Sequence, residues 1–237
     1  GEISSEGTTY IEGNNYTSVG AQTLGKDVTI NAKENVNIGT LELKGEDKFG
    51  SDSNNYNLYR STENAGSEVI GTGNVTIKSG NAVNITGSLV GSNGNTIIEA
   101  GNDINIKNDI DSVYTESKQK NSGFLSSYKK ETKDYKEVAV GSNIVGNNVV
   151  LKAGDDVNVQ GSNLIGKEDL KGNGGNIYVT SGDDVNILEG TLSESHYMYE
   201  KKSGFSGSFS SGLGGISAGL TYSTSKTKQT SEMTNIE

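Results

Sequence analysis

The sequence has no cysteine, no proline, one histidine and one arginine. It also has no apolar run of about eighteen residues, the length a membrane-spanning helix needs. Each absence removes a class of explanation. Without cysteine there is no disulfide framework and no thiolate metal site. His196 stands alone, so neither a two-histidine metal site nor a histidine-based dyad fits in one chain. Arg60 is the single arginine, and the formal charge is −10. Nucleic-acid phosphates attract clusters of Lys and Arg, so no nucleic acid is expected as a partner. There is no initiator methionine and no signal peptide, and the chain reads as a piece of something larger. Hydrophobic residues make up 31%, against roughly 45–50% in an average domain, glycine included. Either part of the chain is disordered or its core is thin and long.

What is present is repetition. Gly73 to Gly80 (GNVTIKSG) is answered by Gly94 to Gly101 (GNTIIEAG), and Val83-Asn84-Ile85 by Ile104-Asn105-Ile106. Five copies of one element occur: Val28 to Ile38, Val75 to Ile85, Thr96 to Ile106, Val149 to Val159 and Ile177 to Ile187. Each has two short alternating segments around a small-residue corner such as Ser79-Gly80 or Ala153-Gly154. Period-two alternation marks strands with one buried face. The inward set is β-branched, for example Val75, Ile77, Val83 and Ile85, which suits a pleated surface. Glycine at the corner is expected to supply a positive φ. A unit of about twenty residues cannot bury its apolar face alone, so such units stack. The expected fold is all-β: a right-handed parallel β-helix with extruding β-hairpins. Asn37, Asn84, Asn105, Asn158 and Asn186 occupy one outward position and are expected to form a structural ladder.

The copies are unevenly spaced, and the extra residues have their own composition. Coil strands are expected near 19–43, 69–110 and 138–192, with hairpin insertions near 1–18, 44–68, 111–137 and 193–237. The whole is read as one β-helix segment. All four Phe and ten of the eleven Tyr lie outside the coil strands. The hairpins are therefore the candidate contact surface. Its residues are Tyr114, Phe124, Tyr128 and Tyr135 in one insertion, and Tyr197, Tyr199, Phe205, Phe209, Leu220 and Tyr222 in another. Ile216, Ala218, Leu220 and Tyr222 alternate with small polar residues. That segment either lies on the shaft or seeks a partner sheet or a membrane.

Other features have plainer readings. Asp155-Asp156 and Asp183-Asp184 follow the corner, where Asx side chains favour turns; adjacent strand residues do not converge. Gly172 to Ile187 distantly resembles a calcium-binding nonapeptide repeat, but the nine-residue period is absent. Neither metal nor cofactor is expected.

The run Gly146 to Leu164 (GNNVVLKAGDDVNVQGSNL) and its siblings resemble the haemagglutinin repeat of filamentous-haemagglutinin-like exoproteins, the secreted partners of two-partner secretion. The Ser/Tyr/Lys-rich excursions, with Ser122-Gly123-Phe124 and Ser203-Gly204-Phe205, resemble the second repeat region of those proteins. That region is shared by adhesins and by carriers of contact-dependent growth-inhibition toxins. The resemblance implies a secreted, non-catalytic shaft at the bacterial cell surface. It implies an outer-membrane two-partner secretion transporter, acting on the full-length protein, as one partner. A target-cell receptor, glycan or membrane is the other. The alternative is a β-helical, lyase-like polysaccharide enzyme, which would need polar columns converging in a cleft.

Overall fold

A computed structural model describes the backbone of residues 1–210 and 215–235, and their side chains except at 206–210, 215–218 and 232–235. The described residues form six coils of three short strands each, stacked as a right-handed parallel β-helix. Coil 1 comprises β1 (Glu2–Ser4), β2 (Thr9–Gly13) and β3 (Tyr16–Val19), and coil 2 β4 (Gln22–Gly25), β5 (Val28–Ala32) and β6 (Val36–Gly39). A hairpin follows, β7 (Leu41–Asp52) and β8 (Asn55–Ala65). Coil 3 is β9 (Glu68–Gly71), β10 (Val75–Ser79) and β11 (Val83–Thr86), and coil 4 β12 (Leu89–Ser92), β13 (Asn95–Ala100) and β14 (Ile104–Lys107). The second hairpin is β15 (Asp109–Ser122) and β16 (Ser126–Val140). Coil 5 is β17 (Asn143–Gly146), β18 (Asn148–Ala153) and β19 (Val157–Gln160), and coil 6 β20 (Asn163–Gly166), β21 (Asn176–Thr180) and β22 (Val185–Leu188). The third hairpin is β23 (Gly190–Ser210) and β24 (Gly215–Asn235).

Equivalent strands pair in parallel and in register, so Val28, Val75, Thr96, Val149 and Ile177 share one column. Val28, Ile30, Val75, Ile77, Ile98, Val149 and Leu151 are buried along one strip. Inward side chains of the other two sheets, among them Val36, Ile38, Val69, Val83 and Ile85, complete this narrow column, and so thin a core accounts for the low hydrophobic fraction. Coil 6 leaves Val185 and Ile187 at 46% and 75% exposure, where Val157 and Val159 one coil below are buried.

Three expectations need correction. Residues 1–18 are not a hairpin arm. Their strands pair in parallel with coil 2, Thr9 opposite Val28 and Ser18 opposite Ile38. Thr9 and Ser18 are buried at 5% each, so polar residues occupy inward positions and erase the apolar alternation. Second, the corner glycines do not adopt positive φ: Gly80, Gly101, Gly154 and Gly182 are absent from the positive-φ set. They are required because a Cβ would meet the carbonyl of the coil beneath, at 1.8 Å for Gly154 against Gly101 O. Third, each coil has a further strand, β4 or its equivalent, that the two-segment element did not include.

Positive φ marks a different place. Gly20, Gly87 and Gly161 have φ of 54°, 53° and 53°, and each closes the turn from one coil directly to the next. They follow coils 1, 3 and 5, and the hairpins leave at the same place from coils 2, 4 and 6. A Cβ on Gly87 would stand 2.6 Å from Thr40 Cγ2 and 3.0 Å from Asp109 Cβ. The glycine lies between the roots of two hairpins, where only bare backbone fits.

Candidate interaction surface on the hairpin sheet

The shaft's outward polar groups are largely taken up by one another. Asn84 Nδ2 donates to Asn37 Oδ1 at 3.0 Å, Asn105 to Asn84 at 3.1 Å, Asn158 to Asn105 at 3.1 Å and Asn186 to Asn158 at 2.9 Å. A second ladder runs from Asn102 through Asn81 to Asn35, and a third from Asn176 through Asn148 to Asn95. Asp155 and Asp183 sit at the corner with their N–H groups bonded to the coil beneath, and Asp156 Oδ1 accepts from Asp184 N. These polar columns brace the stack.

The hairpins carry the exposed chemistry, and they form one sheet. Its order is β7-β8-β15-β16-β23-β24, antiparallel throughout. The geometry is commensurate. Each hairpin adds two strands and leaves every second coil, and both spacings are about 4.8 Å. The hairpin sheet therefore advances along the shaft at the same rate as the coils.

Alternation divides the sheet into two faces. One face presents cross-strand rows of aromatic and charged residues. Glu46, Arg60, Tyr114, Tyr135 and Ser195 form one row, and Lys48, Leu58, Glu116, Lys133, Tyr197 and Lys228 the next. Tyr56, Lys118, Glu131, Tyr199 and Lys226 form a third. At their centre is a four-charge cluster. Lys118 Nζ lies 3.0 Å from Glu116 and 3.9 Å from Glu131, and Lys133 Nζ lies 3.0 Å from Glu131 and 3.8 Å from Glu116. Burial alone would raise the Glu116 carboxyl. Hydrogen bonds from Lys118 and Tyr56, with the charges of Lys118 and Lys133, outweigh it and hold the carboxyl below its ordinary value. Lys118 is pushed up by its bonds to Tyr56 and Glu116. Tyr114 is pushed up first by burial and then by the Glu116 charge.

Lysine ammoniums cap the tyrosine rings. Lys48 stands 4.4 Å and Lys118 5.3 Å from the Tyr56 centroid, Lys129 5.4 Å from Tyr199, and Lys201 5.3 Å from Tyr222. Such contacts contribute about 0.5–1 kcal/mol each at exposed sites.

The anticipated contact residues separate into groups. Tyr114, Tyr135, Tyr197, Tyr199 and Tyr222 share the face just described, and Phe205 pairs with Leu220 beyond them. Tyr128 lies on the opposite face, with Lys202 5.6 Å from its ring. Phe124 is fully exposed at the second hairpin's turn, and Leu220 is 87% exposed. The side chains of Phe209, Ile216 and Ala218 lie outside those described. His196 Nδ1 contacts the Asp134 carboxylate of the adjacent hairpin, so it joins two hairpins. Tyr56 and the lysines were not anticipated. Their signal is charge placement. Segments 48–58, 116–133 and 197–228 hold ten of the twenty basic residues and four of the thirty acidic ones. The distal half of the sheet is thus +6 and the rest of the chain −16.

A family model described as hemagglutinin repeat matches residues 48–127 and 125–236. The chain belongs to the hemagglutinin-repeat family. The first matched span starts in the first hairpin, runs through coils 3 and 4 and ends in the second hairpin; the second starts at the second hairpin's turn and covers coils 5 and 6 and the strands of the third hairpin. The chain is also 30% identical over 167 residues, 68% of its length, to the tRNA nuclease CdiA of Escherichia coli (strain STEC_O31). The match covers 4% of that protein. No solved structure matches this hemagglutinin-repeat chain.

Proposed function

We propose that this chain is a non-catalytic shaft segment of a large secreted bacterial exoprotein that mediates contact between cells, by adhesion or by contact-dependent toxin delivery. The full-length protein would leave its cell through an outer-membrane two-partner secretion transporter and stand at the cell surface. Family membership and the similarity to a short part of a far longer E. coli protein support this reading. The observation that carries it is the division of labour in the structure: side-chain ladders within the shaft, and a continuous tyrosine-bearing sheet with a basic distal half beside it. The shaft sets length, about 4.8 Å per coil, and the hairpin sheet meets the target. Any toxin activity belongs elsewhere in the parent protein.

The experiment is saturation binding of the labelled chain to Gram-negative target cells. It compares wild type with a variant lacking the second hairpin. Saturable binding that drops with the hairpin supports the reading. Equal binding of the two removes the hairpin sheet from the contact.

A further inference from the structure

The three hairpins differ in length, and the difference creates a recess. The first turns at Asp52 to Asn55, whereas the second continues to Ser122 before turning. The sheet therefore steps down beside β15, where Asn55 Oδ1 accepts from Lys120 N at 2.8 Å. A recess of about 130 Å³ opens at this step, lined among others by Lys118, Lys120, Lys129, Lys130 and Glu131, whose carboxylate is paired with Lys133 at 3.0 Å.

Beside the recess is a row of like charges that ring contacts only partly offset, Lys129 over Tyr199 and Lys201 over Tyr222. Lys120 pairs directly with Lys129, and Lys129 directly with Lys201. Three lysines thus stand in one cross-strand row, neighbours about 5 Å apart at Cβ, where like charges are destabilising, and Lys129 and Lys201 reach to rings on either side of it. The row next outward is Ser122, Ser127, Ser203 and Tyr222, with Ser127 Oγ and Ser203 Oγ 2.7 Å apart. The row next inward holds Tyr199. The patch therefore combines three cations, two of them capping tyrosine rings, and three serine hydroxyls on a sheet whose distal half is positive on an otherwise acidic chain. Sulfate, phosphate or carboxylate groups relieve the repulsion. The serine hydroxyls suit the hydroxyls of the sugar rings between such groups.

We propose that the Lys120–Lys129–Lys201 row and its adjoining recess form a docking site for an anionic polysaccharide. This rests on the hairpin sheet being the contact surface, and it names the chemistry met there. The acidic shaft repels the same polymer, which confines it to the distal sheet.

The test measures retention of the whole chain on immobilised dextran sulfate, polygalacturonate and neutral dextran, and on phosphatidylglycerol vesicles. Wild type should bind both anionic polymers, with affinity falling as salt rises, and should ignore neutral dextran. Lys120→Gln/Lys129→Gln/Lys201→Gln should lose about tenfold or more in affinity with a shallower salt dependence. Lys26→Gln/Lys33→Gln/Lys152→Gln, the same charge change on the shaft, should bind as wild type. Equal polymer binding by both variants reduces the site to net charge. Binding to vesicles alone assigns the patch to lipid. Both results overturn the proposal. Labelled cells separate this from the broader reading. If wild type and the Lys120/Lys129/Lys201 variant bind cells equally, the contact surface stands and the polysaccharide assignment falls. If wild type binds no cells, the broader reading falls, and the polymer data still decide the site.

Discussion

Ser67 Oγ donates a 2.6 Å hydrogen bond to the carbonyl of Gly39, across the whole first hairpin. Ser142 Oγ does the same to Lys107 O at 2.7 Å across the second. In coils without a hairpin, Ser88 bonds Thr86 O at 2.7 Å and Ser162 bonds Gln160 O at 2.9 Å. The coil is therefore closed in the same way whether or not a hairpin has been inserted. These serines also form a buried column, in which Ser67 N donates to Ser88 Oγ, Ser88 N to Ser142 Oγ and Ser142 N to Ser162 Oγ. Ser67 is fully buried. Ser67→Ala should cost about 1–3 kcal/mol, since it strands the Ala21 N–H that Ser67 Oγ accepts from and leaves the Gly39 carbonyl only its bond from Gly20 N. Chemical denaturation checks it, and an unchanged midpoint would remove the serine column from the account of coil closure.

Removing Asn108 to Val140 joins Lys107 to Gly141-Ser142, which copies Thr86-Gly87-Ser88. The shaft should stay folded, with its parallel β signal retained. The outer hairpins would then be separated by four coils, about 19 Å, too far to pair. Isolated two-stranded hairpins are marginal in water. Limited proteolysis should therefore cut within 41–65 and 190–235 in the deletion and spare them in wild type. Equal protection would show that the hairpins do not stabilise one another.

The coil was legible where physics is local. Val75, Ile77, Val83 and Ile85 alternate, and alternation needs no knowledge of the partner strand. Coil 1 was not, because Thr9 and Ser18 hold inward positions with polar side chains whose hydroxyls bond backbone, Thr9 Oγ1 to Leu24 O at 2.7 Å. The glycine corner was found but its cause was misread, since a clash with the coil beneath is invisible in one coil's sequence. The hairpins were visible as hairpins. Their union was not: Tyr114 meets Arg60 and Asp134 meets His196 only because two coils and two strands advance by equal amounts.

The core tolerates no charge. Ile98 is fully buried in the middle of the stack, with Ile77 beneath it and Leu151 above. Ile98→Asp places a carboxylate in a strip that offers no cation, and should cost about 4 kcal/mol or more. A thermal midpoint matching wild type would disprove the inward assignment.

Binding of acidic polysaccharide should occur without cleavage. Incubation with polygalacturonate should yield no unsaturated product absorbing in the ultraviolet and no new reducing ends. Turnover abolished by a single substitution would instead support the lyase-like alternative.

Glu116 sets a pH dependence for the hairpin sheet. Its folded carboxyl titrates below the ordinary value of 4.5. A group depressed in this way adds stability that is fully present above the unfolded value and is lost as pH falls through the folded one. Lys118 and Lys133 are raised, so their contribution is intact throughout the acidic range. The contribution of Glu116 to the sheet should therefore be constant between pH 7 and about 5.5, and should fall progressively below about 4.5. Glu116→Gln should be less stable at neutral pH, because Lys118 and Lys133 lose a partner, and should show a flatter acid limb. The measurement is proteolytic protection of the second hairpin across pH, using an acid-active protease below pH 4. An acid limb as steep in Glu116→Gln as in wild type would show that Glu116 does not set it.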